Sequence, residues 1–184
     1  MKHGVTVFGK GRSGTNGYCL TLSQTLYTKH KYLGEYFPDG PHRLFYLKEN
    51  PNFIINCTSW HLTDEIVNFL NANSKIILIE RKNKLDQFLS HIIAWLATPV
   101  GETLTAKTVN FKPNSLWIDN KMFDNYTKHH EKYLDILSKI NIDTRVYYED
   151  VDFVDKKYKT NYNLNTKLEY FKNKDQILSY VDKL

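Results

Sequence analysis

Cysteine is scarce. Cys19 and Cys57 are the only two in 184 residues, they stand far apart, and no CxxC pair exists. That excludes a disulfide framework, and the expectation is a reduced, cytoplasmic chain. Cys57 lies in an apolar run and reads as a small buried residue, not a nucleophile. Long apolar runs are missing as well. None approaches membrane-spanning length, and the N-terminus enters a strand almost at once, so no span, signal peptide or anchor is expected. Low-complexity tracts are absent, while 14% of the residues are aromatic and 24% charged, which indicates a globular chain and excludes a disordered one. There is also no block of like charge. The formal net charge is +5, but the lysines are spread along the chain. Nucleic acid is therefore not an expected partner, and the basic balance suits a small anionic ligand. No repeat or domain boundary is visible, and the length suits one domain over residues 1–184.

What is present is concentrated in VTVFGKGRSGT, residues 5–15. A short β-branched run ends in Gly9, Gly11 and Gly14, and a helix is expected over residues 18–27. Strand, glycine loop and helix together make a phosphate cradle. Glycines turn successive N–H groups toward one anion, and the helix N-terminus adds its positive dipole end. Gly9 and Gly14 have the spacing of a nucleoside-triphosphate loop, but Thr15 and Asn16 stand where that loop has its lysine. The positive charge comes earlier, on Lys10 and Arg12. Ser13 and Thr15 can also cap the following helix.

Further strands are expected over 43–47, 53–57, 75–79 and 144–148. Helices are expected over 62–71, with Thr63 as cap, and over 85–96, 122–140 and 176–184. Residues 101–120 read as irregular, a mobile or substrate-facing segment. Strands alternating with helices imply an α/β fold with a central parallel sheet between helical layers, α/β/α. In such sheets ligands bind at the carboxyl ends of the strands. The glycine loop, residues 58–61 and residues 80–82 all follow strands directly and are expected to share one edge.

Three stretches carry a resemblance. They are Gly11-Arg12-Ser13-Gly14-Thr15-Asn16; a strand followed by Arg81-Lys82-Asn83-Lys84-Leu85-Asp86-Gln87-Phe88-Leu89-Ser90; and Tyr147-Tyr148-Glu149-Asp150-Val151 closing a late strand. In that order they resemble the sulfotransferases that use 3′-phosphoadenosine 5′-phosphosulfate (PAPS), most closely the bacterial and carbohydrate-type members. The resemblance implies a nucleoside-triphosphatase-like sulfotransferase fold and PAPS as co-substrate. It implies a hydroxyl or amine acceptor, either a small molecule or a carbohydrate, and no metal. It gives the 5′-phosphosulfate to Arg12, Ser13, Gly14, Thr15 and Asn16, to which the glycine loop adds Lys10 and Gly11 as candidate cofactor-binding residues, and the 3′-phosphate to Arg81 and Ser90. The Arg-to-Ser spacing is one residue longer than in cytosolic animal enzymes, so Lys82 is an alternative to Arg81. Gly17 replaces the aromatic residue that stacks on adenine there. Their basic C-terminal loop has no clear counterpart beyond Lys156, Lys157 or Lys159. The chain is short for the family, which implies a reduced acceptor cap.

Sulfuryl transfer needs an anion cradle, a cation at the leaving phosphate and a base for the acceptor hydroxyl. Arg12 is the candidate cation and His61 the candidate base, with Thr58, Ser59 and Trp60 lining the acceptor site. A carboxylate, Asp64 or Glu65, is the alternative base. His91 sits on an apolar helix and reads as packed. His129 and His130 have no partner at metal-ligand spacing and read as surface. Glu149 and Asp150 are expected to order their loop. Two other functions fit the loop. One is a nucleotide kinase with a degenerate loop, using Asp64 or Glu80 to hold magnesium. The other is a non-catalytic nucleotide-binding module.

Overall fold

The computed structural model describes residues 2–11, 14–36, 44–97, 111–155 and 164–184. They form two compact units. One comprises Met1–Lys82 with His129–Tyr158, the other Asn83–Lys128 with Lys159–Leu184. No helix among the described residues is long and apolar enough to cross a membrane.

The first unit is a five-stranded, all-parallel sheet flanked by helices. Its strands are β1 (Gly4–Phe8), β2 (Lys31–Glu35), β3 (Phe53–Cys57), β4 (Ser74–Glu80) and β5 (Thr144–Tyr147), in the order β2-β3-β1-β4-β5. Every residue of β1 and β3 is buried, because their continuous apolar runs can be covered on both faces. Val5, Val7, Ile54, Ile77 and Ile79 face one side, with Cys19 and Leu22 of α1 (Thr15–Thr25). Phe8, Phe53, Ile55, Ile76 and Leu78 face the other. That side is covered by Leu47 of α2 (Leu44–Glu49) and by Ile66, Val67 and Leu70 of α3 (Asp64–Asn73). Thr63 caps α3, its hydroxyl accepting from the Ile66 N–H.

Two expectations fail here. Residues 44–49 are helical where a strand was expected over 43–47, and the second strand is β2. Leu44-Phe45-Tyr46-Leu47 is too short an apolar run to distinguish helix from strand, and only Leu47 is buried. β2 is a half-exposed edge strand without a clean alternation. Its register with β3 slips between Tyr32 and Gly34, where Gly34 has φ 79.

The second unit holds α4 (Lys84–Ala97), the first turns of α5 (Asn120–Lys139), α6 (Leu164–Glu169) and α7 (Lys174–Val181). Its core is Phe88, Leu89, Ile92, Ile118, Phe123, Tyr126, Phe171, Ile177 and Val181. The Asn173 amide fastens the irregular stretch before α5, accepting from the Ile118 N–H and donating to the Ile118 carbonyl.

Candidate functional site

β1 is the strand at which the sheet order reverses, with β3 on one side and β4 on the other. The glycine loop leaves its carboxyl end. The Gly9 N–H bonds the Cys57 carbonyl at 3.3 Å, tying the start of the loop to β3. Lys10 is charged yet only 9% exposed, and its Nζ lies 2.9 Å from His130 Nδ1. An ammonium only donates, so that imidazole nitrogen accepts. Arg12 and Ser13 lie outside the described residues. Gly14 is the N-cap of α1, at φ 87, ψ 16, and among the described residues no side chain caps this end. Thr15 is the first helical residue and not the cap. The first turn carries no acidic residue, and the first intrahelical bond is Tyr18 N–H to Gly14. Among the described residues of the first turn nothing acidic offsets the dipole end. Asn16 accepts from the Tyr32 hydroxyl of β2.

The end of β4 converges on the same loop. The Arg81 guanidinium lies 4.2 Å from the centre of the Tyr148 ring. A Cβ on Gly14 would come within 2.4 Å of that ring. Arg81 thus reaches the loop through Tyr148. Its neighbours are committed elsewhere. Glu80 accepts from Arg145 and, at 3.1 Å, from the Tyr133 hydroxyl. Lys82 pairs with Asp150 at 2.7 Å while its N–H bonds Glu149, so these carboxylates order the loop after β5. Ser90 lies in the second unit, 8% exposed, and its hydroxyl accepts from Lys167 Nζ, which also pairs with Asp86.

His61 ends a single 3₁₀ turn, Ser59–His61, directly after β3. Burial, and then the charge of Lys132, hold its pKa below 6.5. Beside it stands a group that the sequence reading left on the surface. The His129 ring meets the Trp60 indole edge-on at 3.6 Å, and burial, Lys10 and Lys132 push its pKa down to about 4. Lys132 Nζ donates to the Trp60 carbonyl at 3.1 Å. His129 and His130 face inward because α5 is read by its period. They lie three and four residues after buried Tyr126 and four and three before buried Tyr133. That spacing was the available signal.

Asp64, one of the two alternative carboxylates, is exposed in the first turn of α3 and pairs with Lys139; Glu65 beside it is exposed. A different carboxylate stands at the strand edge. Glu35 closes β2, its pKa raised by burial. Its register partner is Asn56, whose buried Oδ1 has no donor among the described residues. His91 is packed edge-on against Trp95 and Tyr126 in the second unit. Cys19 and Cys57 are free, buried and held in the thiol form by burial. A cleft of about 410 Å³ lies between Tyr18 and Thr21 of α1 and the stretch from Arg145 to Asp152. Among the described residues no group of three or more His, Cys, Asp or Glu is placed to hold a metal ion. No family model, curated protein or solved structure matches the chain.

Proposed function

We propose that the protein is a sulfotransferase that moves a sulfuryl group from PAPS to a hydroxyl or amine acceptor. One observation carries this reading. At the end of the strand where the sheet order reverses, the glycine loop carries buried Lys10 and leads into a helix whose first turn holds no acidic residue, and Arg81 from the next strand lies over the Tyr148 ring beside Gly14. Such a crevice takes an anionic ligand.

In this reading the main-chain N–H groups of the first turn of α1, with Lys10 and Arg12, hold the 5′-phosphosulfate. The resemblance gives the 3′-phosphate to Arg81. The acceptor oxygen attacks sulfur in line. The bond from sulfur to the bridging oxygen breaks, its electron pair stays on the leaving phosphate, and Arg12 offsets the charge that develops there. His61 takes the acceptor proton, since its lowered pKa keeps the imidazole neutral at pH 7. Glu35 is the second candidate base, on its position at the sheet edge and its raised pKa.

The test begins with calorimetry of 3′,5′-adenosine bisphosphate (PAP) against ATP with magnesium. Binding of PAP without ATP is the expected result, and the reverse identifies a kinase-like site. Sulfate transfer from labelled donor to an acceptor panel then separates the enzyme from a nucleotide-binding module.

A further inference from the structure

Two hydrogen-bond acceptors stand side by side at the carboxyl ends of β2 and β3. Asn56 follows Ile54 at the strand period of two, so it shares the α1 face of the sheet with Ile54 and with its β1 partner Val7. It is 1% exposed, and among the described residues nothing donates to its buried Oδ1. Glu35 is its register partner on β2, about 5 Å across the sheet, and faces the same way. Burial raises the Glu35 pKa, and among the described residues no cation and no hydrogen-bond donor pulls it back. A buried carbonyl without a donor is costly, and a half-buried carboxylate without a cation adds to that cost. A hydroxyl would bring one hydrogen and no charge. An ammonium brings three hydrogens and a charge, and so answers both groups at once. The pair also borders the glycine loop, whose Gly9 N–H is held by the carbonyl of Cys57, the residue after Asn56.

We infer that Glu35 and Asn56 bind the amino group of the acceptor, which makes the acceptor a primary amine and not an alcohol. The word acceptor rests on the sulfotransferase reading, but the recognition of an amine stands without it. The charge of the whole molecule does not favour such a ligand. A formal net charge of +5 repels an ammonium, so a preference for one can come only from local groups.

The experiment compares two probes that differ only in an amino for a hydroxyl group, glucosamine and glucose. Both are titrated at pH 7 and low salt, with affinity read by calorimetry and the Asn56 side-chain amide followed by NMR. Glucosamine is expected to bind roughly tenfold more tightly, the gain of one charge-assisted contact, and to shift the Asn56 amide resonance. Glu35→Gln keeps the shape, removes the charge and should abolish the preference, whereas Glu35→Asp should retain most of it. Asn56→Leu should reduce the preference, with the urea midpoint showing that the variant is folded. Equal affinity for the two sugars, no binding of either, or a preference unchanged in Glu35→Gln overturns the proposal. So does magnesium chloride moving the Asn56 resonance where glucosamine does not, since the pair would then hold a metal ion. PAP binding measured on the same samples tests the donor reading separately. Amine preference without PAP binding keeps the amine site and removes the nucleotide. PAP binding without the preference does the opposite.

Discussion

At position 14 two independent constraints exclude a side chain. The backbone is left-handed, at φ 87, and a Cβ would meet the Tyr148 ring. Gly14→Ala should therefore cost on the order of 1–3 kcal/mol, measured by urea unfolding. A loss of only a few tenths would mean that Tyr148 swings away freely. The same ring carries Arg81, so Arg81→Ala should weaken PAP far more than adenosine 5′-phosphate, which lacks the 3′ group. Equal losses would remove Arg81 from the 3′-phosphate. For His61 the direction of the pKa shift sets the pH profile. Its pKa is lowered, so the neutral imidazole persists below pH 6.5, and if His61 is the base of the proposed transfer the acid limb of turnover should lie below that value. His61→Ala should reduce turnover by roughly 10²–10⁴ and abolish the limb, with PAP affinity kept. Lys132→Met should move the limb upward by removing the second cause of the shift. A wild-type limb in His61→Ala would transfer the role to another base, with Glu35 first in line.

Between elements, the bond that joins α6 to α4 is the most exacting. Lys167 is 4% exposed and is shared by Asp86 and Ser90. Lys167→Met leaves the Asp86 carboxylate without its cation and should cost roughly 3–5 kcal/mol, seen in the denaturation midpoint. The double variant Lys167→Met with Asp86→Asn should recover part of that loss; no recovery would mean that the ammonium serves another partner. The elements themselves were legible in proportion to their burial. β3 and β4 run unbroken through the core, and α3 shows an apolar period and a cap, so pattern alone locates them within a residue or two. β2 and α2 were exchanged because each buries little and each is short. The candidate site divides in the same way. The glycine loop, His61 and Arg81 are legible because each directly follows a strand. Glu35 was hidden with β2. His129 and His130 were hidden because their partners, Trp60 and Lys10, are remote in sequence and only the fold brings them within reach.

The whole molecule inherits a pH dependence from those imidazoles. The folded pKa of His129 is about 4, below the ordinary 6.5, so between these values the unfolded chain binds a proton that the folded one refuses. Stability should fall as pH drops through that window, by on the order of 1–2 kcal/mol after discounting for solvent contact. His61 adds in the same sense, while Glu35, with a raised pKa, works against it. Urea midpoints at pH 7 and 4.5 should converge more closely in His129→Gln than in the wild type, and an unchanged drop would clear His129 of the effect. The two borders of the sheet complete the picture at this scale. Along β2 the slipped register at Gly34 breaks the straight row of outward N–H and C=O groups, and along β5 Arg145 and Tyr147 alternate as exposed residues. A bulge of this kind makes the β2 border a poor template for a foreign strand. The same irregularity that concealed β2 from its pattern makes that border of the sheet harder for a second copy of the chain to extend.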